Sequence, residues 1–419
     1  MNLNSGKTDL PGTSAIQIWI LAAITLAVWA TAALWPRLLA TAGLQDFGTP
    51  YLDSYAILAA VDAARMGNDP HLANSLDPLM RGHVYSDWWL WLQYLGLTRA
   101  HNQGMAMVWI GGFGLAAWVT SRPRNWGETL WLASILISPS VLLAVKRANN
   151  DLVIFVLLAG CGLAVSADRW LKQAFAIACL GLAAGLKYFP ATGVLAFLWV
   201  RPIRRMPAAF LCALVVVGTV MNSVAGQVDR ARFFVGSGFY TMGAAIWWRD
   251  FGWKDAQSAI PAVLVLVVAG MVCAMLKITT GLATRGMLGE KFRSALGAII
   301  LLTCFLSGVS YAYRWIFLIW PAIWVWRQTR DKTLGLRERA AAIVACILIP
   351  LCLWLDGTFC IFANRFLRGI PPAAADEIFY KWRLWTQPLH WILMMLLAGW
   401  LIEGAWQTAR EWWSTRYEA

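Results

Sequence analysis

Residues 174–200 read AFAIACLGLAAGLKYFPATGVLAFLWV, and the rest of the chain is understood from this stretch outward. Two apolar runs, Ala174 to Leu186 and Ala191 to Val200, flank the tip Lys187-Tyr188-Phe189-Pro190. Each is short for a hydrocarbon layer that takes roughly 20 helical residues to cross. Short or broken helices at membrane depth are tolerated where they line a cavity. The pair therefore predicts a hairpin of two short helices with Lys187 at its tip, inside a larger membrane bundle.

The remaining sequence supplies that bundle. Of 419 residues, 59% are hydrophobic and 14% charged, with a mean hydropathy of +0.58. These values exclude an ordinary cytosolic enzyme, a disordered chain and a disulfide-rich secreted module. Ala15 to Trp35 is longer than a signal-peptide core and is expected to stay as a first membrane helix. Further spans are expected at Gln103 to Val119, Trp126 to Val145, Leu152 to Ala167, Ala208 to Ala225, Ala259 to Leu276, Ala295 to Val309, Trp315 to Trp326, Ala340 to Leu355 and Leu389 to Ile402. With the hairpin this makes an all-α, polytopic bundle of about 12 membrane segments, forming one domain over residues 1–419.

With both termini in the cytoplasm, the basic connections at Arg122/Arg124, Arg169/Lys172, Arg201/Arg204/Arg205, Arg285/Lys291/Arg293 and Arg327 to Arg339 fall inside, as the positive-inside rule requires. The net charge of +13 then divides into +10 on the cytoplasmic face and +3 outside. No basic run longer than two residues tracks a nucleic-acid backbone, so no nucleic-acid partner is expected. Seven of the eight cysteines sit inside apolar runs without CxxC spacing and read as core filling, Cys360 alone lying near a loop. Three outer loops are long, at 36–102, 226–258 and 356–388. In the first, Tyr51 to Met66 predicts an amphipathic helix, and Trp88-Trp89-Leu90-Trp91-Leu92 a segment lying in the interface.

Four polar clusters fall on the outer side. The first loop holds Asp46, Asp53, Asp62, Asp69, Asp77 and Asp87 within 42 residues. A carboxylate there can act as general base or metal ligand, whereas a solvated loop uses the same residues as turns and caps. Asp69-Pro70 and Asp77-Pro78 have turn character. Nine positions separate Asp53 from Asp62, about two and a half turns of helix and so about 180° apart around it, and the two do not share a face. The second cluster, Lys146-Arg147-Ala148-Asn149-Asn150-Asp151, joins two apolar spans with almost no loop; ligand contact and helix-end pairing explain it equally well. Lys187 with Tyr188 is the third: an ammonium at this depth wants an anion, or snorkels to the interface. Tyr311-Ala312-Tyr313-Arg314 is the fourth, with an arginine fork suited to a phosphate or, equally, to an aromatic belt. His71 and His83 share the acidic loop and carry the only hint of a metal; no zinc motif occurs.

At these residues the chain resembles a known family. Asp53, then Gly67-Asn68-Asp69-Pro70, is similar to the aspartate-to-Gly-x-Asp-Pro stretch of glycosyltransferase family 87, the polyprenyl-phosphate-mannose-dependent mannosyltransferases. Arg147-Ala148-Asn149-Asn150-Asp151 looks like that family's Arg-Gly-Asn-x-Asp helix start, with Ala148 in place of glycine. Gly181 to Pro190 resembles its Gly-Leu-Ala-x-x-Leu-Lys-x-Tyr-Pro segment, the most specific of the three. A tyrosine usual four residues after the aspartate is Ile57 here, with Tyr55 two after instead. The likeness covers the first half of the chain, and the second half matches only in hydropathy and at Tyr313-Arg314.

The resemblance implies a GT-C architecture whose cavity opens at the outer leaflet. It implies a hexosyltransferase that moves a sugar, mannose first, from a polyprenyl-phosphate donor to a hydroxyl of a glycan or glycolipid acceptor. Asp53 is expected to be the base and Lys187, Arg147 and Arg314 to hold the donor phosphate. Asn149, Asp151, Tyr55, Tyr188 and Tyr313 are expected to line the pocket. Trp88, Trp89, Trp247 and Trp248 are available for sugar stacking or interface anchoring. No cofactor is required for this chemistry, and a divalent metal has no motif to hold it. The expected location is the inner membrane, with the site facing the periplasm or exterior. The alternative is a transporter or flippase for a lipid-linked sugar or anionic solute, which also uses broken helices; no internal repeat is found to favour it.

Overall fold

A computed structural model describes residues 15–34, 49–165, 169–200, 205–231, 241–246, 255–279, 288–308, 310–366 and 372–417. The fold is all-α. Its helices are α1 (Ala15–Leu34), α2 (Leu52–Arg65), α3 (Asn102–Ser121), α4 (Trp126–Leu136), α5 (Pro139–Arg147), α6 (Asp151–Val165), α7 (Trp170–Leu186), α8 (Met206–Ala231), α9 (Asp255–Met275), α10 (Leu288–Leu306), α11 (Ile319–Thr329), α12 (Leu336–Phe366) and α13 (Pro372–Tyr417). Extended 3-10 segments occupy Asp87–Leu95, Phe189–Trp199 and Ala312–Leu318. The two-residue strands β1 (Thr241–Met242) and β2 (Ser310–Tyr311) pair antiparallel.

Four stretches among the described residues are long and apolar enough to cross a membrane, at Arg99–Ser121, Met206–Ala225, Leu336–Ala363 and Lys381–Ser414. The expected span at 126–145 is instead two helices, α4 and α5, bent by 55°. Pro139 opens the second of them, where its missing N–H costs nothing. The apolar stretches Ile16–Thr31, Asp151–Val165, Trp170–Leu186 and Ala259–Met275 and the 3-10 segment Phe189–Trp199 are shorter. Length, not polarity, separates these from full spans.

The hairpin expected at 174–200 is present in outline: α7 ends at Leu186 and its return arm is the 3-10 segment, not an α-helix. Within the expected outer loop at 356–388, α12 runs on to Phe366 and α13 begins at Pro372. Hydropathy marks where apolar residues stop, not where a helix stops. The i,i+4 pair Glu377–Lys381 (2.6 Å) supports α13 well outside its apolar part.

Helix α6 lies at the centre, packed against α3, α7 and α10. Its Phe155 stacks on Trp320 (4.3 Å) and meets Phe113 edge-on, and Phe113 in turn stacks on Trp29. The outward faces of α8 and α9 are apolar, with Leu211, Leu214, Val215, Leu264 and Val268 exposed. An apolar exterior around buried charged groups suits a lipid solvent. At the start of α4 and the end of α11, Glu128 and Glu290 bind Arg327 (2.9 and 2.7 Å), and Arg124 binds Glu290 (3.1 Å). These ions are mutually satisfied and tie α4, α10 and α11 together.

Candidate functional site

The site is built where α2, α5, α6, α7 and the segment Ala312–Leu318 end near one another. The entry to α2 is fixed first. Tyr51 takes a left-handed conformation (φ 55°), Ser54 Oγ donates to its carbonyl, and Asn102 Nδ2 donates to the carbonyl of Pro50. Asp53 thus stands in the first turn of α2, 1% exposed, where a helix N-terminus favours a carboxylate. At the other end of α2 Gly67 is left-handed (φ 77°), and the Asn68 N–H returns to the Ala63 carbonyl. That is the closure glycine permits, and it gives the Gly67-to-Pro70 motif its structural role.

Both oxygens of Asp53 are occupied. Arg147 donates through Nε to Oδ2 (2.8 Å) and through Nη2 to Oδ1 (2.7 Å), a bidentate fork. Asn149 Nδ2 donates to Oδ2 (2.6 Å), and Arg81 Nη1 approaches Oδ1 at 3.4 Å. Burial by itself would raise the Asp53 pKa. Arg147, Asn149 and Arg81 outweigh it and hold the carboxyl below the usual carboxylate range.

The short connection from α5 to α6 distributes its side chains between two clusters. Ala148 caps α5 in the left-handed region (φ 42°), and the Asn149 N–H returns to the Ala144 carbonyl. Asn149 Oδ1 then accepts from the Asp151 N–H (2.9 Å) to start α6. This sharp turn sends Arg147 and Asn149 to Asp53 but Asn150 and Asp151 to Lys187. A left-handed alanine costs about 1–2 kcal/mol, more than the roughly 0.5–1 kcal/mol of extra chain entropy that glycine loses. Ala148→Gly is therefore expected to stabilise the protein slightly, by about 0.5–1 kcal/mol, seen as a higher thermal midpoint in detergent.

In the second cluster Lys187 follows the last turn of α7 and is 7% exposed. Its Nζ donates to Asn150 Oδ1 (2.7 Å) and to Asp151 Oδ1. Arg314 places Nε 3.7 Å from Asp151 Oδ2 and donates through Nη1 to Ser310 Oγ. One carboxylate thus serves two cations. Asp151 Oδ2, Asn150 Nδ2 and Arg314 Nε are all buried without a hydrogen-bond partner among the described residues. Such groups are rare in native interiors and converge here on one spot. An excess cation beside unmatched donors can bind an anion.

Aromatic rings wall the two clusters. Phe189 lies under both Arg314 (5.0 Å) and Lys187 (5.6 Å), and Tyr85 lies 5.4 Å from Lys187. Tyr311 and Tyr313 stack on each other at 5.4 Å, with Arg147 5.8 Å from the Tyr311 ring. Tyr188 is set one residue back, edge-on to Phe189.

Of the residues singled out in the sequence, Asp53, Arg147, Asn149, Asp151, Lys187, Arg314 and Tyr313 come together. Tyr55 does not: it engages Arg99, which is held by Asp62 at 2.8 Å. Asp53 and Asp62 indeed face different partners. Asp69 forms a turn by accepting from the His71 N–H, and Asp77 fixes Arg81 (2.6 Å) so that its guanidinium reaches Asp53. Arg81 and Tyr85 were not singled out in the sequence, because the loop that carries them folds through such turns without periodicity. His71 pairs with Asp87 (3.1 Å), and no group of three metal-ligating side chains occurs among the described residues. Asp46, Trp247 and Trp248 lie outside the described residues.

The tryptophan segment is more deeply engaged than an interfacial anchor. Trp89 is buried and donates through Nε1 to the Leu186 carbonyl (3.1 Å), next to Lys187. Trp88 lies flat against Gly185, where an added Cβ would come 2.1 Å from the ring. Only the outer edge of the segment, Trp91, Tyr94 and Leu95, is exposed. Gly185→Ala is expected to push Trp88 away and cost about 1–3 kcal/mol, with a lower thermal midpoint; an unchanged midpoint would show that the loop is not clamped there.

No family model, curated protein or solved structure matches the chain.

Proposed function

We propose that this protein is a membrane glycosyltransferase of GT-C type that moves a hexose from a polyprenyl-phosphate donor to an acceptor hydroxyl. The observation that carries the reading is the meeting of Asp53, brought in on a loop helix, with a buried cluster in which Lys187 and Arg314 share the single carboxylate of Asp151. A base and an anion site stand side by side, as such a transfer needs. The ordered motifs shared with glycosyltransferase family 87 favour the same chemistry, with mannose as the first sugar to try.

In the reaction the acceptor oxygen bonds to the anomeric carbon as the bond from that carbon to the phosphate oxygen breaks. Asp53 takes the hydroxyl proton, and the leaving group departs as a lipid phosphate monoester. One displacement inverts the anomeric centre. Charge on the leaving phosphate grows through the transition state, so preorganised cations lower the barrier. Lys187 and Arg314 supply them, and Arg147 stands between Asp53 and Tyr311 within reach of the same group. Asn149 keeps Asp53 oriented, and Tyr311 and Tyr313 offer a stacked face to a sugar. A single phosphate with three cations near it does not require a metal.

This reading places about twelve membrane segments in a cell membrane, with the shorter apolar helices completing the bundle, both termini cytoplasmic and the site at the outer face. The test uses purified protein in liposomes with radiolabelled polyprenyl-phosphate hexoses. Label moving to a glycolipid or glycan acceptor is the expected result. Translocation of the intact donor across the bilayer, with no transfer, would replace the enzyme with a flippase.

A further inference from the structure

The Asp53 carboxylate has no free oxygen: Arg147 spans both, Asn149 adds a second bond to Oδ2, and Arg81 stands off Oδ1 at 3.4 Å. A base so occupied cannot receive an acceptor hydroxyl. The neighbouring cluster is the complement: among the described residues it has one cation in excess, and Arg314 Nε and Asn150 Nδ2 have no hydrogen-bond partner. Arg147 stands in the last turn of α5 with its guanidinium 5.8 Å from the Tyr311 ring, and Tyr311 stacks on Tyr313, the chain neighbour of Arg314.

We infer, resting on the glycosyltransferase reading, that Arg147 masks Asp53 in the resting protein and that the donor's phosphate draws it off, so that the base is exposed only when the donor is bound. The phosphodiester offers Arg147 an anion with the geometry its fork prefers. When Arg147 leaves, Oδ2 remains held by Asn149 and Oδ1 keeps only the long contact to Arg81. Oδ1 is then the oxygen that faces the acceptor. The exchange conserves charge, since Arg147 trades one carboxylate for one phosphodiester. It also couples the two substrates: without donor, no base is available to activate water or the acceptor.

Carbodiimide labelling tests this without relying on turnover, because dicyclohexylcarbodiimide reacts with protonated buried carboxyls. The full-length protein in detergent is incubated with polyprenyl phosphate, with polyprenol lacking the phosphate, or with neither. Asp53 modification is read by peptide mass spectrometry and lipid binding by tryptophan fluorescence. Polyprenyl phosphate is expected to bind and raise labelling on the order of tenfold, the change in protonated fraction for about one pKa unit. Polyprenol is expected to leave it unchanged. Arg147→Ala is expected to label strongly without lipid, and Arg147→Lys, which keeps the charge but loses the fork, to an intermediate level. Binding of polyprenyl phosphate without increased labelling, or increased labelling with polyprenol alone, would overturn the exchange while leaving the proposed reaction in place. Failure of the protein to bind polyprenyl phosphate would overturn both.

Discussion

Asp53→Asn is expected to lower the rate of hexose transfer by roughly a hundredfold to ten-thousandfold, the usual contribution of a general base, while donor binding stays equal or tightens. The split follows from geometry. The amide keeps an oxygen for Arg147 but takes no proton, so kcat falls. Arg147 is held less firmly by an amide than by a carboxylate and becomes more available to phosphate, so the donor's KM does not rise. Removing one charge from a buried pair destabilises by about 3–5 kcal/mol, so the thermal midpoint must be followed in parallel. Asp53→Glu serves as the second variant: it keeps the charge, displaces the oxygens by one methylene and should retain stability with a rate between the two. Full transfer by Asp53→Asn would remove Asp53 as the base.

The second large effect is expected from the anion site. Lys187→Ala should lower kcat/KM by roughly a hundredfold to a thousandfold, comparable to removing a preorganised donor from a developing anion. Asp151 would keep Arg314, 3.7 Å away, but lose its hydrogen bond from Lys187, at a cost of about 3–5 kcal/mol for a broken buried pair, so the thermal midpoint is followed for this variant too. A phosphate contact is separated from a structural role by competition: polyprenyl phosphate should inhibit the wild type strongly and Lys187→Ala weakly, whereas polyprenol should act on both alike. Equal inhibition of the two proteins by polyprenyl phosphate would assign Lys187 to packing.

Much of the site was legible because its members sit at helix ends, where polar residues interrupt apolar runs. Lys187, Asp151 and Arg314 stand out for that reason. The partnerships were not legible. Arg147 and Asp53 are 94 positions apart, and nothing local distinguishes an arginine that will meet a phosphate from one that meets a carboxylate. Arg81 reaches Asp53 through Asp77 and a left-handed Met80, a path set by turns with no repeating pattern. The resemblance put Tyr55 in the pocket, and the structure sets it elsewhere. It lies seven residues before Asp62, two turns along one helix face, and both engage Arg99. In the fold, the break at Pro139 and the extension of α12 and α13 beyond their apolar parts were missed, since hydropathy is blind to where backbone hydrogen bonding stops.

The most direct measurement is a cryo-electron microscopy map of the protein with polyprenyl phosphate bound. Phosphate density in hydrogen-bond contact with Lys187 and Arg314, with the Arg147 guanidinium turned from Asp53 toward it, is the expected result. Lipid phosphate bound elsewhere, with Lys187, Asp151 and Arg314 undisturbed and Arg147 still clasping Asp53, would contradict the assignment of this site to the donor.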